Sequence, residues 1–206
     1  MFFNIDRNPP DLDEVKAAVA GVIDGGNFIL GENVERFEEE WARSNRAPFC
    51  VGVGNGTDAI RIALLSLGVG PGDEVISPAY NVSYTAMAVE AVGATNVFVD
   101  VDPSTMLMGI EDVWGALTER TRVVLPVHLY GQMANMVDLR AFCDTNGLLL
   151  VEDAAQAHGA TFAGVSPGQY SDAACFSFYP TKNLGSMGEA GALVTKSPRV
   201  AGSTGT

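Results

Sequence analysis

From residue 49 onward the chain alternates short apolar runs with helical stretches, and few folds accept that pattern. The spacing predicts strands near 49–53, 74–77, 95–99, 122–126, 148–152, 173–178 and 191–195. Helical stretches fall between most of them, at about 57–67, 83–92, 109–117 and 135–146. Runs such as Leu148-Leu149-Leu150-Val151 are apolar at every position, as in a sheet covered on both faces. The pattern therefore predicts an α/β protein, a three-layer α/β/α sandwich around a mostly parallel seven-stranded sheet.

Ahead of this region lie two helical segments, near 11–24 and 32–45, with Gly25-Gly26 breaking the first. In the second, Val34, Phe37 and Trp41 recur at three- and four-residue spacing beside Glu35, Glu38, Glu39 and Glu40, whose simplest reading is a solvated face. The expected organisation is an N-terminal helical segment over 1–48, a large domain over 49–196, and a small polar tail over 197–206 without a terminal helix. The 25 acidic residues against 12 basic ones give a net charge of −13, which disfavours nucleic acid as the main partner. No apolar run is long enough for a membrane span, and no basic-then-apolar signal pattern opens the chain. Cys50, Cys143 and Cys175 read as buried thiols of a cytoplasmic protein, not as a disulfide framework.

In open α/β sheets ligands gather at the carboxyl ends of the strands, so the groups placed there matter most. Three stretches stand out. In VGVGNGTDAI (51–60) a strand runs through Gly54-Asn55-Gly56-Thr57 into a helix, a turn whose N–H groups suit a phosphate. A plain strand–helix turn capped by Thr57 or Asp58 is the simpler alternative. The third glycine of a dinucleotide fingerprint is absent, and no Walker-type lysine follows. In LLLVEDAAQAHGA (148–160) Asp153 ends a buried strand, where an acid can hold a cationic ring nitrogen or simply cap a short helix at 154–158. Gln156 and His158 follow on the same turn, and such a histidine is more often a structural hydrogen-bonder than a catalyst. In CFSFYPTKNLG (175–185) Lys182 lies just past a strand among aromatic and small residues, as a carbonyl-directed nucleophile or a solvated loop lysine. Ser177, five residues earlier, can donate to a phosphate. Together these are the three handles of pyridoxal 5′-phosphate.

The same stretches, with FILGENVERFEEEW (28–41), GVGPGDEVISPAY (68–80) and PVHLYGQ (126–132), resemble the DegT/DnrJ/EryC1/StrS family of sugar aminotransferases over roughly residues 5–196. The resemblance implies the large domain of a fold-type I pyridoxal phosphate transferase. It implies Lys182 as the Schiff-base lysine and proton carrier, and Asp153 on the pyridinium nitrogen. Gln156 would lie near the ring, while Gly56 and Thr57 N–H groups with Ser177 would hold the phosphate. The implied reaction moves an amino group from an amino acid, typically glutamate, to a nucleotide-linked keto sugar, in a cytoplasmic homodimer. No metal ligand is assigned. Relatives with histidine in place of the lysine act as dehydratases, and Lys182 points to the transaminase branch. Three departures accompany the match. Val82 stands where the family has an aromatic residue stacked on the cofactor, so Tyr80 or Tyr84 takes that place or stacking is weaker. Ala190 replaces a glycine in Gly188-Glu189-Ala190-Gly191. Family members are also considerably longer, so the chain reads as C-terminally truncated, without the small C-terminal domain. An inactive cofactor-binding fragment and a pyridoxal phosphate-dependent sugar dehydratase are the alternatives. The Phe28-Ile29-Leu30 run reads either as a subunit contact or as part of the chain's own core.

Overall fold

The computed structural model describes residues 11–202, so the first ten residues of the N-terminal segment and the last four of the tail lie outside the described residues. Two compact units result, one ending at Phe37 and the other beginning at Glu38.

The first unit carries helix α1 (Leu12–Gly25). The Asp11 carboxylate accepts from the N–H groups of Asp13 and Glu14, which cap the helix start. The helix stops at Gly26, whose φ of +67° is the left-handed conformation that glycine tolerates, and whose N–H closes on Val22 and Ile23 carbonyls. No residue of α1 is buried, and Phe28, Ile29 and Leu30 are all exposed.

Helix α2 (Glu32–Ser44) crosses the division, and its buried residues, Trp41 and Ala42, belong to the second unit. The acidic face of α2 is not purely solvated. Half-buried Glu38 accepts the Gly52 N–H at 2.7 Å, satisfying a donor on strand β1 (Phe49–Val53), which lies at one edge of the sheet.

The remaining strands are β2 (Glu74–Pro78), β3 (Thr95–Val99), β4 (Thr121–Val124), β5 (Leu149–Asp153), β6 (Ala173–Ser177) and β7 (Gly191–Thr195). They form one seven-stranded sheet in the order β1-β7-β6-β5-β4-β2-β3. Only β7 runs antiparallel, to both of its neighbours, so the other six strands point the same way. Their carboxyl ends share one edge with the first residue of β7, Gly191, which lies between Val53 of β1 and Ser177 of β6. β4 is shorter than the apolar run suggests because Pro126 has no N–H for the ladder. Beyond Val124 the chain holds on through Leu125 N–H to Ile76 and the Asp153 N–H to the Pro126 carbonyl.

Helices flank the sheet. α3 (Gly56–Ser66) packs over β5, β6 and β7 and against α4 (Tyr84–Ala91). α5 (Ile110–Ala116) and α6 (Met136–Asn146) pack against each other over β3 and β5 respectively. The continuous core explains the unbroken apolar strands: Val75, Ile76, Val123, Val124, Leu150, Val151 and Leu193 are inaccessible to solvent. α7 (Pro198–Gly202) is a short helical turn where a polar tail without a helix is expected. Proline suits the first helical position, Ser197 Oγ accepts the Val200 N–H, and Val200 is buried. The three cysteines are free; Cys143 and Cys175 are buried and Cys50 half-buried. Burial pushes the thiols of Cys50 and Cys143 up to about 12, so neither is a ready nucleophile.

Candidate functional site

The β1–α3 turn, the end of β5 and the end of β6 meet at the carboxyl edge of the sheet. Asn55 caps α3, its side-chain oxygen accepting the Asp58 N–H at 2.8 Å and its amide donating to the Asp58 carboxylate. This cap leaves the N–H groups of Gly56 and Thr57 pointing out of the helix start, with the positive end of an eleven-residue helix dipole behind them. Gly56 is packed directly on Ser177: a Cβ at residue 56 would lie 2.7 Å from the Ser177 Cβ. Gly191 meets this turn from the other side, and a Cβ there would overlap the Asn55 carbonyl. The glycines thus let the start of α3, with Gly56 and Thr57, approach Ser177 at the end of β6. Ser177 is itself framed, its Oγ accepting the Tyr179 N–H and its carbonyl accepting from His158 Nε2 at 2.8 Å.

Asp153 is buried at the end of β5, beside Cys175 of β6. No helix follows it; residues 154–158 form turns closed by the Ala157 N–H to the Ala154 carbonyl. The Ala154 N–H is taken by the Cys175 carbonyl, and the Gln156 carbonyl, which a helix would use, goes to the Gly131 N–H. One Asp153 oxygen accepts the Ala155 N–H at 3.1 Å and the other accepts the Thr85 hydroxyl at 2.6 Å. Gln156 is half-buried and locked from two directions. Its side-chain oxygen accepts the Tyr130 N–H, and its backbone carbonyl accepts the Gly131 N–H. With that oxygen occupied, the amide NH₂ is the end left to donate.

Lys182 lies on the loop after β6, half-buried, its own N–H bonded to the Tyr179 carbonyl. Its ammonium makes no ion pair or hydrogen bond among the described residues. The loop folds back tightly, since a Cβ at Gly185 would lie 2.7 Å from the Pro180 carbonyl oxygen. His158 packs in an aromatic cluster with Trp41, Phe176 and Phe178. Burial, together with the charge of nearby Lys182, lowers its pKa against the opposing effect of the Ser177 hydrogen bond. A neutral ring donating from Nε2 leaves Nδ1 as an acceptor, and that atom is buried without a partner among the described residues.

Several contributors carry no signal in the sequence. Thr85, on α4, donates to Asp153, and Asn81, in the loop before α4, donates to Thr85. The Tyr80 and Tyr130 hydroxyls pair at 2.9 Å, although the residues are fifty positions apart. His128 and Glu152, both inaccessible to solvent, form a second polar network behind Asp153. His128 Nδ1 accepts the Ala134 N–H, so Nε2 is the donor to Glu152 at 2.7 Å. Glu152 also accepts from the Gly168 N–H and the Ser171 hydroxyl. Val82 is exposed and lines a cleft of about 200 Å³ with Ser77, Pro78, Asn81, Ser83 and Thr85. Tyr84, at the start of α4, is also exposed. Ala190 does not have positive φ, so the alanine there costs no backbone strain, whereas Gly188 has a φ of +151°.

Residues 10–204 match the profile of the DegT/DnrJ/EryC1/StrS aminotransferase family. The chain is 48% identical over 188 residues to dTDP-3-amino-3,4,6-trideoxy-alpha-D-glucose transaminase of Micromonospora megalomicea subsp. nigra, covering 91% of this chain and 50% of that protein. It superimposes on the crystal structure of S. venezuelae DesV with a TM-score of 0.90 at 47% identity, over 92% of this chain and 51% of DesV. It matches Bacillus subtilis NtdA with bound cofactor PMP at a TM-score of 0.91 and 34% identity, over 98% of this chain and 46% of NtdA. The chain therefore spans about half the length of the relatives it matches.

Proposed function

The chain belongs to the DegT/DnrJ/EryC1/StrS aminotransferase family, and we propose that its protein transfers an amino group from an amino acid, glutamate in the first instance, to a nucleotide-linked keto sugar with pyridoxal 5′-phosphate. The observation that carries this reading is the convergence on one sheet edge of hydrogen-bond donors at a helix start, a buried acid and a lysine whose ammonium has no partner among the described residues. They are supplied by Gly56, Thr57 and Ser177, by Asp153, and by Lys182. The donor set suits a phosphate ester: the Gly56–Ser177 approach leaves no room for a side chain at residue 56 and brings the helix-start N–H groups up to the Ser177 hydroxyl.

When bound, the cofactor supplies an electron sink that makes the α-hydrogen of an attached amino acid acidic. The remaining roles belong to the protein. Gly56 and Thr57 N–H groups and the Ser177 hydroxyl bind the phosphate. Asp153 accepts a hydrogen bond from the ring nitrogen and keeps it protonated. The Gln156 NH₂ donates to the ring's hydroxyl side. The Lys182 amine would hold the cofactor at its carbonyl and, once released, would serve as the acid–base group that takes up and returns the substrate proton. His158, neutral and donating to the Ser177 carbonyl, holds the strand end that carries Ser177. The aromatic face that Val82 does not offer would fall to Tyr80, whose hydroxyl pairs with that of Tyr130, or to Tyr84.

The dTDP-sugar chemistry in the name of the M. megalomicea relative supports the nucleotide-sugar class. On the same reading the protein is a cytoplasmic homodimer with the exposed Phe28-Ile29-Leu30 run in its subunit contact. Residues 49–196 act as its large, cofactor-binding domain behind an N-terminal helical segment over 1–48. No helix among the described residues is long and apolar enough to cross a membrane.

The test is visible absorbance of the purified protein with pyridoxal phosphate, compared with Lys182→Ala. The expected result is a band that requires Lys182 and shifts when glutamate is added, followed by amino transfer to a keto sugar nucleotide. A band identical in the variant, or no amino transfer from any donor, refutes the proposal.

A further inference from the structure

Asp153 is held by Thr85, which Asn81 holds in turn, and no sequence motif marks either residue. We propose that Thr85, supported by Asn81, is a positioning residue for Asp153. It fixes the plane of the carboxylate and so the oxygen lone pair that Asp153 offers to the cofactor's ring nitrogen. The inference rests on the pyridoxal phosphate reading given above.

The polarity of the chain of hydrogen bonds is determined from its outer end. The Val82 N–H donates to Asn81 Oδ1 at 2.7 Å. A backbone N–H can only donate, so this contact fixes which end of the Asn81 amide is oxygen. The Asn81 amide nitrogen then faces Thr85 Oγ1 at 2.6 Å and must donate to it. The Thr85 hydroxyl has one hydrogen, and that hydrogen is left for Asp153 Oδ2, also at 2.6 Å. The Ala155 N–H holds the other carboxylate oxygen at 3.1 Å. With one donor on each oxygen the carboxylate cannot rotate about its Cβ–Cγ bond without breaking one of them. Thr85 and Asp153 are both buried, so water does not replace a lost donor freely. Asn81 is half-buried on the wall of the 200 Å³ cleft, so the outer end of this relay opens on that cleft.

A merely structural hydroxyl would affect folding and nothing else. A positioning hydroxyl would also change how tightly and in what protonation state the ring is held. The experiment compares Thr85→Val, Thr85→Ser and Asn81→Ala with wild type at the protein's full native length. The measurements are pyridoxal phosphate dissociation constants, the pH titration of the visible band, and thermal unfolding without cofactor. Loss of a hydrogen bond to a charged group predicts affinity about ten-fold or more weaker in Thr85→Val. The midpoint of its band titration should move as well. Thr85→Ser should restore both, and Asn81→Ala should change both in the direction of Thr85→Val, by less. Wild-type affinity and titration in Thr85→Val overturn the proposal, as do equal defects in Thr85→Val and Thr85→Ser. If Thr85→Val does not fold, Asn81→Ala decides, and an unchanged spectrum and affinity there overturn it. A wild-type protein without a Lys182-dependent band overturns the cofactor reading, and this inference with it. That outcome differs from a wild-type band that Thr85 does not influence.

Discussion

Gly56→Ala puts the proposed anion cradle under the most direct strain. The new methyl group would lie 2.7 Å from the Ser177 Cβ, 3.2 Å from its Cα and 3.3 Å from its Oγ. Carbon atoms rest at about 3.5–4.0 Å, so the start of α3 and the end of β6 would have to separate by about 1 Å. Overpacking of this size costs about 1–3 kcal/mol. Alanine favours the helical backbone over glycine by about 1 kcal/mol, which offsets part of it. The net loss is about 0–2 kcal/mol, or a melting temperature lower by at most about 8 °C at this chain length. Ligand affinity should suffer more. The Gly56 and Thr57 N–H groups and the Ser177 hydroxyl would no longer converge on one anion, and a lost hydrogen bond to a charged group is worth about 1.5–3 kcal/mol. The expected result is a pyridoxal phosphate dissociation constant raised at least about ten-fold, by absorbance titration, with only a modest thermal shift by calorimetry. Adding Ser177→Gly should recover part of the stability, because the nearest clashing atom is gone, and none of the affinity, because a donor is gone too. A Gly56→Ala protein that binds the cofactor as wild type does would refute the cradle.

Two further outcomes follow from the buried polar groups around the site. The His158 pKa lies below its ordinary value, chiefly through burial, so the unfolded chain binds the proton more readily than the folded one. Its contribution to stability is therefore present above the unfolded pKa of about 6.5 and is lost as pH falls toward the folded value. Denaturant unfolding should show a loss of stability below about pH 6.5 that is smaller in His158→Gln; an identical slope in that variant would contradict the assignment. Glu152 accepts from His128, Gly168 and Ser171 in a site closed to water, so Glu152→Gln places an NH₂ against donors. A loss of about 1–3 kcal/mol by chemical denaturation is expected, and a neutral result would show that the network is not closed.

The sheet was legible because its signals are local. Each strand is a short apolar run ended by glycine, proline or a polar residue, and the structure places all seven within two residues of that reading. Asp153 and Ser177 were legible for the same reason: each is the polar residue that ends an apolar strand, and Gln156 and Lys182 follow within five positions. The turn at 154–158 does not continue as a helix because the Gln156 carbonyl accepts the Gly131 N–H, a partner on a distant loop that leaves no local signal. α7 was missed because a single helical turn has no periodicity to detect. Glu38 looked solvated because its partner, Gly52, bonds through the backbone and leaves no trace in residue type.

The same distinction between local and non-local signals explains why the surroundings of Asp153 were invisible while Asp153 itself was not. Thr85 lies 68 positions before it, within SPAYNVSYTA, where nothing sets one threonine or asparagine apart. What selects Thr85 is geometry: β2 and β5 flank β4, and the loop after β2 carries Asn81 and the start of α4 over the carboxyl end of β5. The Tyr80–Tyr130 pair arises from the same loop meeting the one after β4. That second loop is the one whose N–H groups hold Gln156. The acid and the glutamine three residues later are thus steadied from opposite sides by two loops that also bond to each other. A substitution in either loop should then be felt at both. Tyr80→Phe, which touches neither Asp153 nor Gln156, is the change that separates a connected frame from two independent contacts. It should also return the Tyr130 hydroxyl, whose pKa is raised chiefly by its hydrogen bond to Tyr80, toward its ordinary value in an ultraviolet titration.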